Sequence, residues 1–385
     1  MVSSLDSKLP EVGTTIFTVM SRLAAEHGAI NLSQGFPDFE PPERLVELVG
    51  LHMRRGGANQ YAPMTGLPQL REAIAAKVAR LYGRRVDADT DVTVTAGGTE
   101  ALFCAVQALV RPGDEVILLD PAYDSYEPSV RLAGGRAVRV PLRRPTFAVD
   151  WDRVREAISP RTRLLIVNFP HNPSGAVLQR EDLDAMAAAL RDTGTFVLAD
   201  EVYEHMLFDD RRHQSLLRHE ELAGRSCVVS SFGKTYHATG WKIGYCIAPA
   251  ALSAEFRKVH QFVQFAVATP LQAAIADFMA ECPQHVAELP AFYQRKRDRF
   301  ATLLGATRFR FTPAASTYFQ LVDYSAISGL PDIDFARWLT VERGVAAIPI
   351  SVFSARPPGE ERVVRFCFAK HEATLDAAAA KLRDL

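Results

Sequence analysis

Residues 196–204 read FVLADEVYE, and the fold is decided by how this stretch is read. Phe196, Val197, Leu198 and Ala199 form an apolar run too short for a helix. It stops on Asp200, with Glu201 and Tyr203 just beyond. A short, unbroken apolar run of this kind predicts a strand buried on both faces. The pattern recurs along the chain. Residues 92–95 (VTVT) lead into AGGTE, 164–168 (LLIVN) into FPHNPSG, and 227–231 (CVVSS) into FGKT. Residues 115–119 (EVILL) follow a Pro-Gly-Asp turn. Helical patterns separate them. Leu70, Ile74, Val78 and Leu81 recur at helical spacing with Gly83 as a stop, and further helices are expected over 101–110 and 181–192. Strands alternating with helices imply crossover units and an α/β architecture with a mostly parallel sheet.

The character changes near Pro283. A long charged helix over 288–304, a strand over 318–322, a helix over 334–342 and a strand over 363–368 suggest a smaller α+β domain. An apolar helix over 16–25 and a Pro-rich loop over 35–42 are expected to pack with it. The resulting division is 1–45 as N-terminal segment, 46–283 as large domain and 284–385 as small C-terminal domain.

The 385 residues are 48% hydrophobic and 23% charged, which excludes a fibrous or disordered chain. Lys and Arg total 44 against 45 Asp and Glu, so nucleic acid or an anionic membrane is not the expected partner. Five scattered cysteines without CxxC spacing read as free thiols in a reducing compartment. The start, MVSSLDSKLP, lacks a signal-peptide pattern, and the run 265–280 is too short and too polar to span a bilayer. The expectation is a soluble cytoplasmic protein.

In an open parallel sheet, ligands bind beyond the carboxyl ends of the strands. Gly97, Gly98, Thr99 and Glu100 open a helix there, and small residues let backbone N–H groups face a phosphate. Two prolines stiffen the loop presenting His171 and Asn172. Asp200 at a strand end could balance a buried cation. Lys234 follows a strand and is a candidate Schiff-base nucleophile, with Lys242 near enough in sequence to lower its pKa. Gly233, Lys234 and Thr235 do not complete a Walker A loop, because position 228 is Val. Arg365 interrupts an apolar strand and needs an anionic partner. His171 and His237 read as structural, and no metal-ligand motif appears.

Taken together, these features resemble the fold-type I pyridoxal-phosphate aminotransferases of class I/II. The likeness is greatest to the branch of methionine aminotransferases and kynurenine–glutamine transaminases. It rests on residues 31–39 (NLSQGFPDF), 59–66 (NQYAPMTG), 120–127 (DPAYDSYE), 200–204 (DEVYE), 231–244 (SFGKTYHATGWKIG) and 365–370 (RFCFAK). The resemblance implies the aspartate aminotransferase-like fold, with a seven-stranded, mostly parallel sheet in the large domain. It implies that Lys234 binds pyridoxal 5'-phosphate and then shuttles the substrate proton. Asp200 would pair with the ring nitrogen, and Tyr203 and Asn172 would bond the ring oxygen. Tyr123 and Val202 would cover the two ring faces. The backbone of Gly98, Thr99 and Glu100, with Ser231 and Lys242, would hold the phosphate. Tyr61 would serve the neighbouring subunit of a homodimer. Arg365, with Asn172 and Gly35, would take the substrate carboxylate. The bonds preceding Pro121 and Pro173 are expected to be cis. Metal sites, nucleic acid and membrane are not implied.

Where kynurenine transaminases carry an aromatic Trp and a partner-subunit histidine, this chain has Phe17 and Ala266. Residues 14–20 (TTIFTVM) and 347–353 (AIPISVF) resemble the methionine aminotransferases instead. Ile16, Phe17, Tyr61, Tyr123, Phe265 and Phe353 are the expected pocket wall. Their apolar character favours methionine, with aromatic amino acids or glutamine as further donors to a 2-oxo acid. The alternatives are kynurenine–oxoglutarate transamination, a cysteine-S-conjugate β-lyase on the same scaffold, and a non-catalytic PLP-binding regulator. Intact Lys234, Asp200 and Arg365 count against the last.

Overall fold

A central sheet buried on both faces organises the chain. The computed structural model describes residues 6–355 and 361–385, so part of the stretch read for a targeting signal lies outside it. Its strands are β1 (Ile30–Asn31), β2 (Val92–Thr95), β3 (Glu115–Asp120), β4 (Arg136–Pro141), β5 (Thr162–Asn168), β6 (Phe196–Asp200), β7 (Ser226–Ser231), β8 (Gly244–Ile247), β9 (Phe319–Asp323), β10 (Val345–Ala346), β11 (Ile348–Pro349) and β12 (Val363–Cys367). Seven of them form one sheet in the order β2-β8-β7-β6-β5-β3-β4. Strands β3 to β7 pair in parallel, and β8 runs antiparallel to both β7 and β2.

Alternate side chains of these strands enter two cores. Ile117, Leu165, Val167, Val197 and Val228 face one side. Val116, Leu118, Leu164, Ile166, Leu198 and Val229 face the other, against the helix Gly97–Leu109. Each fully buried side chain of this size contributes roughly 1.5–3 kcal/mol. Two strands of the sheet carry no signal in the sequence reading. Strand β4 is an edge strand interrupted by Arg136, which is exposed, and by the half-buried Arg139, and β8 is four residues long and begins on glycine.

The helix expected over 288–304 spans Gln284–Leu304 and accommodates Pro290 near its start. The helix Pro68–Tyr82 ends on Gly83, whose φ of 71° accepts the left-handed cap. Peptide bonds preceding Pro121, Pro145, Pro170 and Pro173 are cis. All five cysteines are free.

A separate core unites both ends of the chain. Met20 and Leu32 cluster with Phe335, Leu339, Phe366 and Leu375. The helix Ile16–Glu26, opened by Thr15 Oγ1 accepting from the Thr18 N–H (3.4 Å), packs on the helix Asp332–Arg343. Strand β1 pairs in parallel with β10. Strands β11, β12 and β9 form an antiparallel sheet that holds Arg365 between Ile348 and Leu321.

A buried polar network ties the large sheet to the helix Pro68–Tyr82. Lys77 Nζ donates to Glu204 Oε1 (2.6 Å), which also accepts from Tyr245 Oη (3.0 Å) and Ser230 Oγ; Tyr82 donates to Glu204 Oε2. The Lys77 ammonium and these donors hold the Glu204 carboxyl well below its ordinary range despite its burial.

Candidate active site

Because β2, β5, β6 and β7 point the same way, their carboxyl ends meet at one edge of the sheet. The register sets Asn168 beside Asp200, and places Thr95 and Ser231 on either side of Gly244. Gly244 is required by this closeness. A Cβ there would fall 2.6 Å from the Ser230 carbonyl oxygen and 3.0 Å from the Gly97 carbonyl carbon. A cleft of about 1220 Å³ opens at this edge.

One end of the cleft is an anion seat. The helix Gly97–Leu109 starts here, so the N–H groups of its first turn have no helical partner. Gly97 adopts φ 79° and Lys242 φ 52°, and the Lys242 ammonium lies beside Gly97, 3.4 Å from where a Cβ would stand. Gly98, Thr99, Ser231 and Lys242 all line the cleft. The Glu100 carboxylate turns away from it. Glu100 Oε2 accepts from the Ala96 N–H (3.0 Å), and Oε1 lies 2.8 Å from both Cys104 Sγ and His260 Nδ1. His260 Nε2 lies 3.0 Å from the Met64 carbonyl oxygen. Glu100, Cys104 and His260 thus bring three ligand-type atoms within 4.8 Å of one another, each already hydrogen-bonded.

The centre holds an acid and an amine. Asp200 is buried and accepts from Tyr126 Oη (2.6 Å) and from the Val202 N–H (3.4 Å). Asn168 Nδ2 donates to the Asp200 carbonyl oxygen (2.9 Å). Burial pushes the Asp200 carboxyl up to about 6, against the opposing pull of Tyr126, Val202 and Lys234. Lys234 sits on the single helical turn Phe232–Thr235 that follows β7. Its Nζ donates to Tyr318 Oη (3.0 Å) and to the Gly35 carbonyl oxygen (3.1 Å). Burial lowers Lys234 to about 8; Lys242 and Arg365 act in the same direction, and Asp200 acts against them. Val202, Tyr203 and Tyr123 line the cleft around these groups. Burial raises the Tyr123 hydroxyl to about 12 and pushes Tyr203 well above its ordinary value.

At the far end, Arg365 is 1% exposed. Nη1 donates to Asn172 Oδ1 (2.6 Å) and Nη2 to the Ser33 carbonyl oxygen (3.1 Å), while Nε is buried without a partner. The guanidinium lies 3.9 Å from the Phe319 ring centroid and near Phe17 and Phe353. Among the described residues no carboxylate pairs with it. Burial lowers its pKa, so an anion entering the cleft would relieve the cost of keeping this charge dry.

The expected wall is only partly assembled within one chain. Ile16, Phe17, Tyr123 and Phe353 line the cleft. Tyr61 and Phe265 do not: Tyr61 is 84% exposed, stands edge-on to Phe265 at 5.3 Å, and lines a separate hollow with Ala266 on the outer surface. The reading that put both in the same pocket is corrected for the single chain. Gly35 contributes its carbonyl oxygen, and a Cβ there would fall 2.8 Å from Phe319 Cζ. His171 is buried between the Pro121 carbonyl and Ser174, and His237 bonds Tyr293, as structural histidines do.

Three residues escaped the sequence reading: Tyr126, Asn168 and Tyr318. Tyr126 carried the best signal, three positions after Tyr123 and so one helical turn on. Asn168 closes a strand, as Asp200 does. Tyr318 is 283 positions from Gly35 along the chain, yet its hydroxyl donates to the Gly35 carbonyl oxygen (2.5 Å).

This donor set fits pyridoxal phosphate. Lys242 makes no ion pair among the described residues and stands at a helix start, as a phosphate requires. Asp200 is a buried acid in need of a cation, which a protonated ring nitrogen supplies. Lys234 is an amine whose charged form is disfavoured, suited to a carbonyl carbon. The fold and this edge of the sheet define a pyridoxal-phosphate-dependent transferase.

The comparisons with known proteins carry the assignment further. The model of the family "Aminotransferase class I and II" matches residues 27–382. Methionine aminotransferase of Escherichia coli K12 is 56% identical over 379 residues, covering 98% of each chain. Human kynurenine–oxoglutarate transaminase 1 is 34% identical over 395 residues, covering 94% of this chain and 93% of that one. A solved Escherichia coli structure described as having a methionine aminotransferase function superposes with a TM-score of 0.96 at 56% identity, covering 99% of both chains. The chain belongs to the class I and II aminotransferases, and it is a pyridoxal-phosphate-dependent aminotransferase.

Proposed function

We propose that the enzyme is a homodimer that moves the amino group of methionine to a 2-oxo acid, with aromatic amino acids and glutamine as further donors. The observation that carries this reading is Arg365. A buried guanidinium that, among the described residues, is held by an amide and a carbonyl oxygen with Nε left over suits a substrate α-carboxylate. The side chain of that substrate would then lie against Ile16, Phe17, Tyr123 and Phe353, where an uncharged, flexible thioether fits. The 56% identity to the Escherichia coli methionine aminotransferase supports the same donor.

In this reading the backbone of Gly98, Thr99 and Glu100, with Ser231 and Lys242, holds the phosphate. Asp200 pairs with the ring nitrogen, Val202 and Tyr123 cover the ring, and Tyr203 and Asn172 hold its oxygen. Asn172 can do so while serving Arg365, because its Oδ1 accepts from the guanidinium and its Nδ2 stays available. When bound, pyridoxal phosphate supplies an aldehyde for the substrate amine and a ring that withdraws electrons from the substrate Cα. Arg365, Asn172 and Gly35 orient the carboxylate. Lys234, whose burial lowers it to about 8 and so brings the neutral amine within reach near neutral pH, removes the proton from Cα and returns it.

Exposed Tyr61, Phe262 and Phe265 form the surface that would join two copies, with Tyr61 serving the second copy's phosphate. The N-terminal segment 1–45 and the small domain 284–385 would close over the large domain 46–283. A cytoplasmic site is in keeping with free cysteines and with the finding that no described helix is long and apolar enough to cross a membrane.

The test is a donor screen of amino acids against several 2-oxo acids, with Lys234→Ala as control. Methionine should lead and Lys234→Ala should be inactive. Faster turnover of aspartate than of methionine would overturn the substrate, and turnover by Lys234→Ala would overturn the lysine.

A further inference from the structure

Lys234 does not hang free in the cleft. Its Nζ donates to Tyr318 Oη (3.0 Å) and to the Gly35 carbonyl oxygen (3.1 Å). Tyr318 in turn donates its own proton to that same Gly35 oxygen (2.5 Å). The three polar atoms form a closed triangle. Tyr318 is fully buried, with the rings of Tyr203 and Tyr293 at 5.3 Å and 5.7 Å, so its ring cannot swing. Nothing in the roles assigned above uses this residue.

The geometry has a chemical consequence. A neutral amine has two N–H bonds and one lone pair. Tyr318 has spent its proton on Gly35, so it presents an oxygen lone pair to Lys234. Gly35 presents a carbonyl oxygen. Both N–H bonds of the amine therefore have acceptors, and the lone pair is left as the one unengaged site. We propose that Tyr318 is a positioning residue for the aminotransferase reaction: with Gly35 it seats the released Lys234 amine so that its lone pair faces the substrate Cα–H. This inference rests on Lys234 being the proton carrier.

The seat also survives the reaction. When Lys234 takes a proton, the new N–H points at the substrate, and the two existing bonds to Tyr318 and Gly35 strengthen because the donor is now charged. No rearrangement of the lysine is needed before the proton is returned. Burial holds the Tyr318 hydroxyl far above its ordinary pKa, so it stays a neutral, fixed acceptor throughout.

The test is Tyr318→Phe in the full-length holoenzyme, which keeps the ring and removes the oxygen. Expected are a fall in kcat of about tenfold or more at unchanged KM, and a larger primary isotope effect with Cα-deuterated methionine, since proton transfer now limits the rate. A second readout does not depend on turnover. In the amino form of the holoenzyme, where Lys234 is released, its labelling by a small amine-reactive reagent is followed against pH by mass spectrometry. Loss of an acceptor that favours the ammonium should move the labelling midpoint down by about one pH unit. Wild-type kcat with an unmoved midpoint would overturn the proposal. So would a fall in kcat that merely tracks a lower thermal midpoint or lost cofactor while the labelling midpoint stays put. Lys234→Ala separates the two levels: if it retains turnover, the lysine assignment fails, whereas an inactive Lys234→Ala beside a wild-type-like Tyr318→Phe sinks only the seat.

Discussion

Tyr126 donates its hydroxyl proton to Asp200 Oδ2 at 2.6 Å, and both side chains are buried. The bond favours the ionised carboxylate, which burial alone would disfavour. In the role proposed for it, Asp200 must be ionised to hold a protonated ring nitrogen. In Tyr126→Phe the carboxyl should rise further, and the acid limb of kcat/KM should shift to higher pH by about one unit, the worth of one bond to a charged group. A profile from pH 5 to 9 with an unmoved acid limb would contradict this.

The same carboxyl should be visible in stability. In the cofactor-free protein Asp200 titrates near 6, against an ordinary value of 3.8. Between those values the folded state holds a proton that the unfolded state has released, so stability falls as pH rises from about 4 to about 6. The cost above pH 6 is roughly 3 kcal/mol. Asp200→Asn should lack that fall. Urea denaturation of both cofactor-free proteins across this range gives the difference, and a flat difference would argue against a raised carboxyl.

Arg365→Lys keeps the charge and loses the planar fork that bonds Asn172 and Ser33 while leaving Nε free. Binding of a carboxylate by two prongs becomes impossible. We expect kcat/KM for methionine to drop by about a hundredfold or more, mostly through KM, with cofactor affinity unchanged. Steady-state kinetics beside a cofactor titration checks both halves.

Lys77→Met leaves Glu204 ionised or unpaired inside the protein, with Tyr82, Tyr245 and Ser230 still aimed at it. The expected loss is about 3–5 kcal/mol of stability. Adding Glu204→Gln to the same chain should recover part of it, because the buried charge is gone. Thermal or urea unfolding of the two variants decides the point.

Much of this protein was legible in order along the chain. The runs ending on Thr95, Asn168, Asp200 and Ser231 announce buried strands because a short apolar run bounded by turn signals fits a strand covered on both faces. Each of those runs hands over directly to a chemical group, so Gly98, Asp200 and Lys234 could be found next to strand ends. Arg365 stood out because one charge in an apolar strand is a local anomaly.

Other facts belong to the tertiary structure alone. Strand β8 reverses between β7 and β2, and this reversal brings Gly97, Ser231 and Lys242 round Gly244. Tyr126 meets Asp200 across 74 positions, and Tyr318 meets Gly35 across 283. Tyr61, quoted with the site motifs, turns outward and leaves its own cleft. The division has a physical cause. Periodicity and composition record what a residue needs from its immediate surroundings, namely burial, a turn or a charge partner. Which partner meets that need depends on how distant strands close against one another, and a hydroxyl in the sequence carries no mark of the carbonyl or carboxylate it will reach.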